Sequence, residues 1–152
     1  MRRKFYQLMK HFCGLIKLNE WSSIVDGAPF FINEVMCTFI CNPKVDRERF
    51  FLFVQFGELP SLNATEVLAA LLRNNHLGYI GEGPGFSISP TTGKLNYCRH
   101  FKIVDADPET LANVVVYLAS KAIEWRTTYF LDTTNAKKSK IHQLLINQRI
   151  HS

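Results

Sequence analysis

The most informative hydrophobic pattern in the chain lies at residues 50–56, which read Phe-Phe-Leu-Phe-Val-Gln-Phe. In a β-strand, successive side chains point to opposite faces. One face of this predicted strand carries Phe50, Leu52, Val54 and Phe56, and the other carries Phe51, Phe53 and Gln55. A strand with one face in water would alternate apolar with polar residues. We therefore expect the second face to be covered, either by this chain or by a partner.

Three other segments place apolar residues at helical spacing. Residues 3–17 predict an amphipathic helix with the stripe Phe5, Leu8, Met9, Phe12, Leu15 and Ile16. Residues 64–76 predict a second helix, which Asn63 caps and whose stripe is Val67, Leu68, Leu71 and Leu72. The third helix follows a cap at Asp105 or Asp107 and has Pro108 at its first position. Its stripe is Leu111, Val114, Val115, Leu118, Ala122, Trp125 and Tyr129.

Four further strands are predicted between these helices. Residues 21–25 read as a short strand followed by a hairpin turn at Asp26-Gly27. A strand over 30–41 would place Phe31, Val35, Cys37 and Phe39 on one face, and Ile32, Met36 and Ile40 on the other. Residues 86–89 and 95–104 predict a hairpin around the turn at 90–93.

The resulting order is helix, three strands, helix, two strands, helix. This α-β-β-β-α-β-β-α order predicts an α+β fold, with an antiparallel twisted sheet and helices packed on it. Residues 1–131 would form one domain. Residues 132–152 form a basic tail that either folds into a short helix with Ile141, Leu144, Leu145 and Ile150 or remains flexible.

Charge is distributed unevenly along the 152 residues, whose net charge is +5. Residues 1–17 contain five basic groups and residues 137–152 contain four, and neither segment contains an acidic group. The intervening residues contain nine basic and thirteen acidic groups, a net charge of −4. Nucleic-acid binders more often carry a basic stripe on the folded surface. A small basic nucleic-acid-binding module therefore stays as an alternative rather than the first interpretation.

The chain offers little catalytic or metal-binding chemistry. Its four cysteines contain no CxxC pair, and no export signal precedes them, so we expect reduced and mostly buried thiols. Cys98 and His100 share a strand face but lack a third group to orient the imidazole. The glycine-rich residues 81–85 precede a strand, whereas a phosphate loop precedes a helix. We expect no catalytic residue, cofactor or metal.

No apolar run approaches the ~20 residues that a membrane span requires, so we expect no membrane insertion. Lys10, His11 and Lys17 interrupt the apolar stretch that an N-terminal export signal would need. We therefore expect a cytoplasmic protein.

Four local stretches follow one another along the chain: residues 53–60 leading into the Asn63-capped helix, the Asn74-Asn75 helix end, the strand start at 85–88, and Ala122-Ile123-Glu124-Trp125-Arg126. Together with the element order, these stretches resemble the type III secretion chaperones of the Tir-chaperone (CesT) family. The resemblance covers roughly residues 3–131. Most members of the family are acidic, and this chain departs from them with an isoelectric point near 9.1.

The resemblance implies a bacterial, cytoplasmic homodimer that binds an extended N-terminal segment of a secreted effector and delivers it to an export ATPase. It implies no cofactor and no catalysis. The family's dimer helix corresponds to Val67, Leu68, Leu71 and Leu72. The effector-binding positions implied by the resemblance are Phe5, Leu8, Met9, Phe12, Ile32, Met36, Phe51 and Phe53. An interaction adaptor with a folded partner is a third interpretation.

Overall fold

The computed structural model describes residues 1–78 and 85–131, and the predicted tail helix lies outside them. In chain order, the elements are α1 (Arg2–Leu15), α2 (Trp21–Val25), β1 (Phe30–Ile32), β2 (Val35–Ile40), β3 (Arg49–Gly57), α3 (Ala64–Gly78), β4 (Gly85–Ile88), β5 (Leu95–Lys102) and α4 (Pro108–Thr128). The predicted α+β class with an antiparallel sheet is confirmed.

The five strands form a single sheet in the order β1-β2-β3-β5-β4, and every neighbouring pair is antiparallel. The phenylalanine-rich strand β3 lies at its centre, between β2 and β5. A β-bulge interrupts the pairing of β3 with β5 between Gln55 and Gly57. Arg126 of α4 holds this irregular end of the strand, because its Nε donates to the Phe56 carbonyl at 2.7 Å.

Helices α1 and α4 cover one face of the sheet, which we call the covered face. Phe5 and Phe12 of α1 pack on Phe50 and Phe39, with ring centroids 5.2 and 5.1 Å apart. Trp125 of α4 is fully buried against Phe56. Aromatic pairs at these distances contribute ~1 kcal/mol beyond the burial of their area. The core therefore lies between the two helices and the even-numbered residues of β3.

Residues 21–25 form the short helix α2, so the prediction of a strand there was wrong. Trp21 and Ile24 are three residues apart, and this spacing puts both on one face of a helix. Ile24 is buried in the core, and Trp21 packs edge-on against Tyr6. The Asp26-Gly27 pair ends this helix rather than turning a hairpin: Gly27 has φ +93°, and the Ala28 N–H donates to the Ser23 carbonyl.

The predicted continuous strand at 30–41 is instead the hairpin of β1 and β2. Asn33 and Glu34 form its two-residue turn with φ of 47° and 67°, the conformation that a tight hairpin needs at both central positions. Ile32 therefore lies opposite Val35, and Phe31 lies opposite Met36. Residues directly opposite each other share a face of the sheet. The turn thus exchanges the faces predicted for Phe31 and Ile32.

The helix signals were more reliable. Helix α3 begins directly after Asn63, and α4 begins at Pro108 after Asp107, whose carboxylate accepts a hydrogen bond from the Thr110 N–H at 2.8 Å. This bond lowers the pKa of the Asp107 carboxyl. Of the predicted stripe of α4, Leu111, Val115, Leu118, Ala122 and Trp125 are buried, and Val114 and Tyr129 are half-buried against the core.

Candidate functional site

The two faces of β3 have different surroundings. Phe50, Leu52, Val54 and Phe56 are at most 1% exposed. Phe51, Phe53 and Gln55 are half-buried, and neighbouring strands supply their contacts. Within residues 1–78 and 85–131, the helices α1 and α4 pack on the other side and α3 packs at the edge strand β4. The second face is thus apolar and uncovered in the described part of the chain.

We call this second surface of the sheet the open face. Strand register assembles it from β1, β2, β3 and β5: Phe53 lies opposite Thr38 and Cys98, and Phe51 lies opposite Ile40 and His100. Its members are Phe31, Met36, Thr38, Ile40, Arg49, Phe51, Phe53, Gln55, Asn96, Cys98, His100 and Lys102. Part of it borders a shallow depression of about 420 Å³, whose lining is apolar at Met36, Ile40, Phe53, Ile88 and Pro90 and polar at Thr38, Gln55, Ser87, Ser89 and Asn96. Such a surface can accept the apolar side chains of another polypeptide.

Of the eight predicted effector-binding residues, only Met36, Phe51 and Phe53 lie together on the open face. The four residues of α1 are at most 6% exposed in the core: Phe5, Leu8, Met9 and Phe12. Their amphipathic stripe is explained by packing on the covered face, so they are not available to a partner in this structure. Ile32 also packs on the covered face, because the two-residue turn places it opposite Val35.

Two large apolar residues of the open face were not among the predicted contacts. Phe31 is 59% exposed and Ile40 is 37% exposed, which makes them the most accessible large side chains of β1 and β2. The signal for Phe31 was the asparagine at position 33, since asparagine favours the positive φ of a tight turn. Placing the turn at Asn33 would have given Phe31 the correct face.

The two edges of the sheet differ in how their main-chain groups are used. At the β4 edge, the side-chain amide of Asn75 in α3 forms the two hydrogen bonds that a neighbouring strand would form with Phe86. Its Nδ2 donates to the Phe86 carbonyl at 3.0 Å, and the Phe86 N–H donates to its Oδ1. At the β1 edge, hydrogen-bonded and non-hydrogen-bonded residue pairs alternate along the antiparallel strands β1 and β2. The Phe31–Met36 pair is a non-hydrogen-bonded one, so the N–H and C=O of Phe31 point away from β2. The β1 edge is therefore placed to pair with another extended segment.

The four residues predicted at a dimer contact have two different environments on α3. Val67 and Leu71 are buried in the core at 0% and 3% exposure. Leu68 is half-buried, and Leu72 is 67% exposed. The stripe thus serves the core through Val67 and Leu71, and only Leu68 and Leu72 present a surface to a second copy.

The thiols are poorly suited to nucleophilic chemistry. Burial raises the pKa of Cys13 to about 11 and that of Cys37 to about 12. Burial also raises the pKa of Cys41 and of Cys98. The reactive form of cysteine is the thiolate, which is scarce at neutral pH under these conditions. In the described residues, no three His, Cys, Asp or Glu side chains are grouped so as to hold a metal ion.

Across the described parts of the chain, none of the helices is both apolar and long enough to cross a bilayer.

Comparison with known proteins gives a family match and a set of similar structures. A sequence model of the Tir chaperone protein (CesT) family matches residues 36–126. A search of curated proteins found no significant match.

Three similar solved structures are complexes. A chain in the HopA1-SchA chaperone-effector complex is 17% identical with a TM-score of 0.61, and the match covers 82% of this chain and 94% of that chain. A chain in the ExsC-ExsE complex is 19% identical with a TM-score of 0.64, covering 87% and 98%. A chain in the complex of the Yersinia pestis type III secretion chaperone SycH with a stable fragment of YscM2 is 18% identical with a TM-score of 0.57, covering 79% and 98%. At these identities the likeness shows a shared fold.

Proposed function

The chain belongs to the Tir chaperone protein (CesT) family, and from this membership we propose that it is a chaperone for a type III secreted effector. It binds an extended N-terminal segment of that effector and keeps the segment competent for export. It acts in the bacterial cytoplasm, without catalysis and without a cofactor. The match covers the open-face residues of β2, β3 and β5 from Met36 onward and the helix α3 that we expect at the dimer contact.

The observation that carries this proposal is the open face. Met36, Ile40, Phe51 and Phe53 form an apolar surface at the centre of the sheet, although a soluble domain normally buries or charges such a face. Each anchoring side chain that covers it would contribute ~1–2 kcal/mol through the burial of apolar area. A flexible effector segment offers such side chains without a folded surface of its own, and it pays for its ordering through this burial.

The β1 edge supplies the second element of recognition. An extended segment that pairs with the main chain of Phe31 would add a sixth strand to the sheet. Main-chain hydrogen bonds would give affinity for many sequences, and the adjacent apolar side chains would give selectivity. The three similar structures described above are each complexes with a second protein, which supports a protein partner for this chain.

Homodimerisation is a further part of the proposal. The exposed Leu72 and the half-buried Leu68 lie one turn apart on α3 and provide the apolar contact for a second copy. A dimer would offer two open faces to one effector segment. Delivery to an export ATPase would follow effector binding.

Affinity capture tests the proposal. The full chain is used as bait in nuclease-treated lysate of the native host at high salt, and retained proteins are identified by mass spectrometry. The identified protein is then re-tested with its N-terminal segment deleted, and its secretion is measured in cells that lack the chain.

We expect one or a few secreted proteins, retained through their N-terminal segments and exported poorly without the chain. Phe53→Asp should abolish retention, and Val116→Asp on the exposed side of α4 is the matched control that should not. In a parallel capture at low salt without nuclease, retention of nucleic acid alone, released by salt, would instead support the nucleic-acid-binding alternative.

A further inference from the structure

The strand register arranges the open face in rows that run across the sheet, and one of these rows is polar but uncharged. Gln55 of β3 lies directly opposite Asn96 of β5, and Asn96 lies directly opposite Ser87 of β4. We call these three residues the polar row. Phe53 is the next open-face residue along β3, so the polar row directly borders the apolar centre of this face.

Gln55 is the one polar residue in the sequence from Phe50 to Phe56, and its main chain and side chain have different surroundings. Its carbonyl accepts a hydrogen bond from the Arg126 Nη2 of α4 at 3.3 Å, beside the β-bulge of β3. Its side-chain amide forms no hydrogen bond within residues 1–78 and 85–131. The main chain of Gln55 is therefore held from the covered side, while the donors and the acceptor of its amide remain unused.

The other two members of the polar row are also incompletely hydrogen-bonded in the described part of the chain. The Asn96 Nδ2 donates to the Lys94 carbonyl at 3.4 Å, which is long for such a bond, and the Asn96 Oδ1 accepts none. The Ser87 side chain is exposed and its hydroxyl forms no hydrogen bond there. Water can satisfy all of these groups while the open face is uncovered, because none of the three residues is buried.

A bound segment changes the surroundings of these polar groups. When a polypeptide covers the open face, it displaces the water that hydrates the amides of Gln55 and Asn96. A polar group that loses water without gaining a hydrogen bond costs free energy. A site that contains such groups therefore rejects ligands that cannot pair with them. An entirely apolar segment would be disfavoured at the polar row, although it suits Phe51 and Phe53.

We propose that the polar row determines which effector segments bind and where they lie, by pairing with a hydrogen-bonding side chain next to the apolar anchors. This inference rests on the proposed chaperone function and specifies the chemistry of the segment. Phe51, Phe53 and Gln55 occupy alternate positions of β3, ~7 Å apart. An extended segment aligned with β3 presents its side chains to the sheet at the same spacing. Its residue over Gln55 is therefore an asparagine, glutamine, serine or threonine two positions from an apolar anchor.

A displayed library of random linear peptides tests the inference without knowledge of the effector. The library is selected on the wild-type protein, on Gln55→Leu and on Gln55→Glu. Leucine has a volume similar to that of glutamine but forms no hydrogen bond, whereas ionised glutamate keeps the shape and only accepts hydrogen bonds. The matched control is Gln7→Leu, because Gln7 is exposed on α1, which packs on the covered face. Circular dichroism melts verify that each variant is folded.

On the wild type and the control, we expect enriched peptides to carry apolar residues with an asparagine, glutamine, serine or threonine two positions from one of them. On Gln55→Leu this polar position should become apolar, and on Gln55→Glu it should become a donor such as lysine or arginine. Replacing the polar residue of a wild-type binder by leucine should weaken its binding to the wild type about tenfold. The same replacement should strengthen binding to Gln55→Leu, and isothermal titration calorimetry measures both affinities.

Enrichment of purely apolar peptides on the wild type, abolished by Phe53→Asp, would overturn the inference and leave the chaperone function standing. A polar preference that is unchanged on both Gln55 variants would place the recognition elsewhere and would also overturn the inference. Absence of any enrichment on the wild type would count against both proposals, because an occluded open face could not receive a segment.

Discussion

Both faces of β3 carry phenylalanine rings, and the two faces are opposite in use. Phe50, Leu52, Val54 and Phe56 are buried by α1 and α4, so their apolar character is explained within the chain. Phe51 and Phe53 lie on the same strand, yet none of the helices in the described residues covers them. Hydrophobicity alone therefore does not distinguish a core position from a binding position. The distinction comes from which helices return to the sheet and on which side.

The largest expected difference between the faces is in stability. Phe50→Ala leaves a cavity among Phe5, Phe39 and Phe101 and should lower the free energy of unfolding by about 3–5 kcal/mol. Phe53→Ala removes a half-buried ring and should cost about 1 kcal/mol. Urea denaturation of both variants measures the contrast. Equal losses would mean that Phe53 is a core residue and would remove it from the binding surface.

Adjacent positions of α3 repeat the contrast at the predicted dimer contact. Leu71→Asp places a charge in the core and should unfold the domain, a loss above about 3 kcal/mol. Leu72→Asp changes an exposed side chain and should leave the fold intact while dissociating the dimer. Circular dichroism and multi-angle light scattering separate these outcomes. A Leu72→Asp protein that stays dimeric would place the dimer contact elsewhere.

A smaller loss of stability is expected at the β4 edge of the sheet, where the hydrogen bonds of Asn75 can be removed. Asn75→Leu removes both hydrogen bonds to Phe86 and keeps a side chain of similar volume, so β4 would lose its cover and about 1–2 kcal/mol of stability. We expect concentration-dependent association through the exposed edge, visible by sedimentation velocity. The matched control is Asn74→Leu, because the Asn74 side chain donates to the Ala70 carbonyl of its own helix and not to β4. The same association in both variants would show that the Asn75 bonds do not protect this edge.

The reaction rates of two native cysteines compare the accessibility of the two faces without any substitution. Cys37 lies on the covered face opposite Val54, and Cys98 lies on the open face opposite Phe53. Cys37 should not react with maleimide until the protein unfolds. Cys98 should react slowly at neutral pH, and its reaction rate should increase as the pH rises towards its raised pKa. A bound effector segment should slow Cys98 several-fold, as measured by mass spectrometry. An unchanged rate would argue that the segment binds away from the centre of the open face.

Sequence reasoning recovered the helices well, because Asn63, Asp107 and Pro108 mark their starts and apolar stripes mark their faces. It failed between residues 21 and 41, where the apolar residues of short segments fit the spacing of a helix and that of a strand equally well. Trp21 and Ile24 satisfy helical spacing as easily as a strand, and a single turn at Asn33-Glu34 exchanged the faces of Phe31 and Ile32. For a two-residue turn, a small error in position reverses every side chain beyond it.

The candidate site was predicted only in part for a related reason. Because β3 has apolar residues on both faces, its sequence raised the question of what covers Phe51 and Phe53. The apolar stripe of α1 was an equally plausible binding surface from the sequence, yet Phe5 and Phe12 of this stripe are buried in the core. Spacing gives the faces of an element, whereas tertiary packing decides which face remains uncovered.

The central claim, that the effector segment binds the open face, is tested most directly by a photo-crosslinking amino acid at two matched aromatic positions. Phe31 on the open face is 59% exposed, and Tyr117 on the outer side of α4 is 58% exposed. Each is replaced by benzoyl-phenylalanine in the full chain, which is irradiated in cells that produce its secreted partner. We predict crosslinks to the N-terminal segment of the partner from position 31 and none from position 117. Crosslinks from position 117 alone would contradict the claim.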